Sequence, residues 1–252
     1  MKMARIIVIN SGKGGVGKTT TAINLGASLN KLNKEVIIMD ANLNTPNVGL
    51  QLGAPIVPIT LNHVLKGKAN IEDAIYEHHS GTKIVPSSLS ISELTKFNVK
   101  KLPGIATELA ALCDYVIIDS AAGFGEEVIS VFEAADEIII VTNPEMPAVT
   151  DALKAVKVAR EMGKVINGVI VTRHIGAKYE MPLSSIRSML ETQIIGVIPE
   201  DKAVKEALNL RDAVCHTHPR SRVSRKYLEI ARKVNGENII ERIGFFDRFF
   251  GR

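Results

Sequence analysis

The apolar run "RIIVIN" at 5–10 passes directly into "SGKGGVGKTT" at 11–20 and then into "TAINLGASLN" at 21–30. A strand, a glycine-rich turn and a helix in immediate succession leave few folds open. The strand needs cover on both faces, while the turn must stay at an edge with its backbone N–H groups free. Gly12, Gly17, Lys18 and Thr19 fit the GxxxxGK[ST] spacing of a phosphate-binding loop. The glycines let the backbone curl so that its amides, from Gly12 through Gly14, Gly15, Val16 and Gly17 to Thr20, face phosphate oxygens at the helix N-terminus. Lys18 adds a point charge on the outer phosphates, and Thr19 offers a hydroxyl to Mg²⁺. The loop also carries Lys13, a second lysine for which an ordinary phosphate loop has no use.

Further β-branched runs follow at 36–40, 83–87, 115–119, 137–142, 168–172 and 194–199. Helix-like segments at 18–31, 104–112, 126–134, 147–162 and 182–191 separate them, with Pro147 and Pro182 placed to start two of these. Strands apolar throughout and alternating with helices predict an α/β fold, a doubly wound, mostly parallel sheet with helices on both faces. The chain's 252 residues, 46% hydrophobic, suffice for one large core, so we expect one domain over 1–236 and a separate helix over 237–252. The only cysteines, Cys113 and Cys215, form no CxxC pair and read as packing residues, which suits a reducing cytoplasm. No apolar run reaches the ~18 residues of a membrane span, so any membrane contact is expected to be peripheral.

"KGGVGKTT" is also the variant phosphate-loop signature of the MinD/ParA group of dimeric ATPases. The sequence resembles that group over nearly its whole length, with MinD the nearest branch. The resemblance implies a P-loop NTPase fold, ATP and Mg²⁺ as cofactors, and a homodimer in the ATP state. In that state Lys13 would reach the phosphates held by the other subunit. A cation supplied in trans stabilises charge on transferring phosphoryl oxygens and ties dimerisation to the γ-phosphate.

Asp119 closes the strand "YVIID" and precedes "SAAGFG", which resembles the group's second nucleotide motif, DxxxG. A carboxylate at that strand end is expected to hold Mg²⁺ with Thr19, and Gly123 to let the loop approach the γ-phosphate. "DANLNTPNVGLQLG" at 40–53 resembles the first switch region, usually DxD. Asp40 matches, but Asn42 stands at the second carboxylate, and the resemblance implies that Asp40, Asn42 and Asp119 arrange metal and water for catalysis. An amide orients water without accepting a proton as a carboxylate does, so hydrolysis is expected to be slow. "IPED" at 198–201 matches the base-binding turn and puts Pro199 beside adenine, whereas Thr172 and Arg173 stand near the position of the usual base-reading asparagine.

The last residues, "ENIIERIGFFDRFFGR", set Ile239, Ile243, Phe246 and Phe250 on one face. The segment resembles the membrane-targeting sequence that ends MinD proteins, and it implies reversible binding to the inner face of the cell membrane. A dimer would double that helix and its avidity. The basic stretch 216–236 reads as a solvated helix face, with lipid headgroups or DNA phosphates as alternatives. His216 and His218 lack carboxylate or cysteine companions in that stretch, which argues against a metal site. Two rival readings stay open: a ParA-like partition ATPase riding on DNA, and a nucleotide-gated scaffold with negligible hydrolysis. The stimulating regulatory protein is left unidentified.

Overall fold

In the computed structural model the described residues are 4–90 and 98–237. All seven strands expected from the sequence are present: β1 (Arg5–Ser11), β2 (Val36–Ala41), β4 (Lys83–Val85), β5 (Tyr115–Ala122), β6 (Glu137–Thr142), β7 (Val165–His174) and β8 (Ile194–Pro199). An additional two-residue strand, β3 (Tyr76–Glu77), pairs antiparallel with β4 at one edge. The sheet order is β3-β4-β2-β5-β1-β6-β7-β8, and every pairing but that edge pair is parallel. β4 stops one residue short of Pro86, which has no N–H to continue a ladder.

The five expected helices are α1 (Lys18–Asn30), α4 (Leu102–Ala110), α5 (Glu126–Ala134), α6 (Met146–Glu161) and α7 (Leu183–Leu190). Pro147 lies in the first turn of α6 as expected, whereas Pro182 is the N-cap of α7, one place before the helix. Short helices α2 (Val48–Gln51), α3 (Leu61–Leu65) and α8 (Lys202–Asn209) were not anticipated. The basic stretch divides at Pro219 into α9 (Val214–Thr217) and α10 (Arg222–Val234), and Ser221 caps α10 by accepting from Ser224 N at 3.1 Å. Val223, Tyr227, Ile230 and Val234 bury one face of α10, leaving Arg222, Arg225, Lys226 and Arg232 exposed.

Period-two alternation along the strands divides the core between the two faces of the sheet. Ile6, Val8, Met39, Ile118 and Ile140 pack with α4, α5, α6 and α7, while Ile7, Ile9, Ile38, Ile117 and Ile139 pack with α1 and α10. Each buried isoleucine contributes roughly 2 kcal/mol of transfer free energy. β1 sits between β5 and β6, so the chain leaves its carboxyl end toward one half of the sheet and later crosses it to reach the other. That reversal opens a crevice beyond the strand ends, where α/β sheets bind ligands.

Candidate functional site

The glycine loop wraps the carboxyl end of β1. Gly15 and Gly17 adopt φ of +80° and +89°, the left-handed region that glycine enters without penalty. Gly17 is the N-cap of α1 and brings no capping side chain, so the first N–H groups of that helix remain available to an anion. A Cβ at Gly12 would lie 2.1 Å from the carbonyl oxygen of Asp151 in α6, so only glycine lets α6 pack against the loop. Lys13, Gly14 and Gly15 are exposed, while Val16, Lys18 and Thr19 are buried.

The two lysines therefore occupy different environments. Lys18, 8% exposed, donates from Nζ to Asp119 Oδ1 at 2.7 Å, and the neighbouring Thr19 hydroxyl donates to Asp119 Oδ2 at 2.6 Å. Lys13 extends from the rim, and its backbone carbonyl accepts from Ser11 Oγ at 2.9 Å. Gly123, at φ +85°, donates to Ser11 O at 3.0 Å and ties the loop after β5 to the end of β1.

Asp40 is the register partner of Asp119 on the adjacent strand. Its carboxylate accepts from the backbone N–H groups of Asn42 at 3.2 Å, Asn47 at 2.9 Å and Val48 at 2.9 Å, so it anchors the loop that follows β2. Complete burial, and secondarily the charge of Asp119, push its pKa up to about 7 against the opposing effects of those amides and of Lys18. Asn42 turns inward: its Nδ2 donates to Thr45 O at 2.6 Å and its Oδ1 accepts from Thr45 Oγ1 at 3.0 Å. That closed turn occupies both ends of the amide.

Asn42, Thr45, Asn47, Gln51 and Arg173 face Gly14, Gly15, Lys18, Thr19 and Thr20 across a cleft of 360 Å³. An adjoining cleft of 220 Å³ is lined by Gly17, Thr20, Thr172, Arg173, Pro199 and Leu208. Pro199 is thus brought to the same side of the loop as Thr172 and Arg173. Thr172 has a further role that the sequence did not reveal: its hydroxyl donates to Val16 O at 2.6 Å and clasps the loop to the end of β7. Nothing in the local sequence marks that contact, since it joins positions 156 residues apart.

The cradle is chemically suited to a magnesium nucleotide. Thr19 and Asp119 bring two hard oxygen donors together beside a buried ammonium, and the loop amides stand at a helix N-terminus. Fold and site together define a P-loop NTPase with an added lysine in its phosphate loop.

Comparison with known proteins narrows that class. The AAA domain family model matches residues 4–170. The model for 4Fe-4S iron sulfur cluster binding proteins of the NifH/frxC family matches residues 109–243. Cys113 and Cys215 are the only cysteines in the chain, and burial pushes both thiols up to about 11, so neither is poised as a cluster thiolate. An uncharacterized ATP-binding protein of Methanocaldococcus jannaschii is 38% identical over 93% of this chain and 89% of its own length. The cell division ATPase MinD of Pyrococcus furiosus superposes with a TM-score of 0.89 at 31% identity, covering 93% of this chain and 99% of that one. The septum site-determining protein MinD of Pyrococcus horikoshii, solved with Mg-ADP, gives a TM-score of 0.88 at 33% identity over 92% of this chain and 96% of that one. The chain belongs to the MinD/ParA family of P-loop ATPases.

Proposed function

We propose that this chain hydrolyses ATP slowly, dimerises face to face in its ATP state, and binds the inner face of the cell membrane reversibly to position cell-division or other machinery. The observation that carries the reading is the division of labour between the lysines. Lys18 is committed to Asp119 within its own chain, whereas Lys13 is exposed at the rim, where a second subunit's nucleotide can be reached.

In this reading Lys18 and the loop amides bind the phosphates, and Thr19 and Asp119 hold Mg²⁺. Bound Mg²⁺ supplies neutralisation of the charge on the transferring phosphoryl oxygens. Asp40 fixes the loop that carries Asn42, and Asn42 positions the attacking water only when its turn with Thr45 opens. Thr172, Arg173 and Pro199 line the adenine side. The P. horikoshii relative with Mg-ADP supports the choice of nucleotide and metal.

Residues 238–252 of the proposed membrane helix lie outside the described residues, and its assignment rests on the apolar face noted above. Among the described residues no helix is long and apolar enough to cross a membrane. Co-sedimentation with liposomes of mixed zwitterionic and anionic lipid tests the whole cycle. The full chain should pellet with ATP and remain in the supernatant with ADP. Lys13→Ala and a chain ending at Gly236 should both stay in the supernatant, the first for lack of a dimer and the second for lack of the helix. Pelleting of the wild type that ignores nucleotide overturns the reading.

A further inference from the structure

Histidines far apart in sequence meet around one carboxylate, at residues that line neither of the two clefts at the phosphate loop. His78 and His79 follow β3 at the edge of the sheet, and Asp212 lies between α8 and α9. One donor atom from each of His78, His79 and Asp212 lies within 4.8 Å of the others, the only such group among the described residues. From the geometry we propose that His78, His79 and Asp212 form a binding site for a first-row divalent metal ion of the zinc type.

The hydrogen bonds around the cluster orient it for ligation. Arg211, held at φ +56°, presents its carbonyl 3.1 Å from His78 Nε2, so that nitrogen carries the proton and donates. The lone pair of His78 is thereby placed on Nδ1, which lies 3.9 Å from Asp212 Oδ1. A backbone carbonyl on the far ring nitrogen is the usual means of fixing a metal-binding histidine. His79 Nε2 lies 3.6 Å from the other carboxylate oxygen, Asp212 Oδ2. The carboxylate is itself oriented, because Oδ1 also meets Ala213 N at 2.6 Å and His216 Nδ1 at 2.9 Å.

Tetrahedral bonds of ~2.05 Å set neighbouring donors about 3.3 Å apart, so the two histidine–carboxylate separations of 3.9 and 3.6 Å would shorten by roughly 0.3–0.6 Å on ligation. Two imidazoles and one carboxylate match the three-ligand set of zinc with a fourth position open to water. His78 Nδ1 now meets Ser80 Oγ at 2.7 Å and accepts from Ser80 N at 3.3 Å, and ligation would exchange both contacts for the metal. The expectation that His216 and His218 lack carboxylate companions is corrected here: His216 meets Asp212, and His218 Nε2 lies 3.0 Å from Glu206 Oε2. The metal would tie the β3–β4 edge to the segment after α8, the helix whose Leu208 borders both clefts.

Titration of the nucleotide-free full chain with Zn²⁺ against a chromophoric chelator, and with Co²⁺ followed by its visible absorption, tests the site. The wild type should take up one equivalent and give the intense bands of four-coordinate Co²⁺. His79→Ala, at an exposed position, should fold normally, lose those bands and bind Zn²⁺ at least ~10-fold more weakly, the range seen when metal-site partners are removed. His78→Ala should do the same, whereas Lys226→Ala, at an exposed position on α10, should leave the Co²⁺ spectrum unchanged. Absence of stoichiometric Zn²⁺ uptake by the wild type, or uptake with unaltered affinity and spectrum in His79→Ala, overturns the proposal.

Discussion

The carboxyl ends of β5 and β2 lie side by side, carry aspartates in direct register, and are built for different work. At β5, Asp119 is fully buried and meets a lysine ammonium at 2.7 Å and a hydroxyl at 2.6 Å. At β2, Asp40 is equally buried, yet its close partners are three backbone N–H groups of the following loop. Burial alone therefore does not determine what an aspartate does. A cation in direct contact joins the first to the phosphate loop, while burial with backbone N–H groups as its close partners leaves the second able to hold a proton and joins it to the switch loop.

Removing the cation gives the sharpest break in this contrast. Lys18→Met should destabilise the nucleotide-free chain by about 3–5 kcal/mol, the usual consequence of stranding one member of a buried pair. It should also weaken ATP binding by at least ~100-fold, equivalent to about 3 kcal/mol for a lost charge-assisted contact. Thermal denaturation and titration with a fluorescent ATP analogue read the two effects. Joining Lys18→Met with Asp119→Leu should recover much of the stability and none of the binding. If Lys18→Met alone is as stable as the wild type, the ion pair does not hold the loop to β5.

The Asp40 end responds to protons instead. Its pKa is about 7 in the folded chain against 3.8 as the ordinary value, so between those limits the folded state keeps a proton that the unfolded state has lost. Its contribution to stability is therefore complete at low pH and declines as pH rises from about 4 toward 7, by at most about 1.4 kcal/mol per unit. Asp40→Asn, neutral throughout, should flatten that part of the profile. Denaturant titrations of both proteins at pH 5, 6 and 7 provide the check, and parallel profiles would mean that Asp40 is ionised across the range.

Much of this was legible in the sequence, for a physical reason. Strands covered on both faces must be apolar throughout, so all seven main strands announced themselves, and "SGKGGVGKTT" located the cradle through glycines that the backbone requires. Edge and connecting elements were hidden. β3 has two residues, α2 four and α9 four, too few for a periodicity to show. The side-chain contacts that complete the site were hidden as well. Thr172 reaches Val16 across 156 residues, and His78 meets Arg211 across 133, distances over which spacing carries no signal. His216 looked isolated because its carboxylate, Asp212, belongs to the preceding turn and the histidines that share it, His78 and His79, stand far earlier in the chain.

The smallest change concerns Asn42, where the β2 end departs from the DxD pattern that the surrounding sequence resembles. Asn42 Nδ2 donates to Thr45 O at 2.6 Å, a bond that a carboxylate cannot make. Asn42→Asp would set a carboxylate oxygen against that carbonyl, close to Asp40, whose carboxylate accepts from the backbone N–H of residue 42 at 3.2 Å. The variant should lose about 1 kcal/mol of stability, the worth of an ordinary hydrogen bond. It should also open the turn, freeing an oxygen that accepts a proton from water, and steady-state phosphate release with ATP should rise. Release that stays at background in both proteins, while ATP still binds, would favour a nucleotide-gated scaffold over an ATPase cycle. Release that is already substantial in the wild type and unchanged in the variant would show that the switch loop opens on its own when nucleotide and a second subunit are bound, leaving the amide at 42 free to orient water.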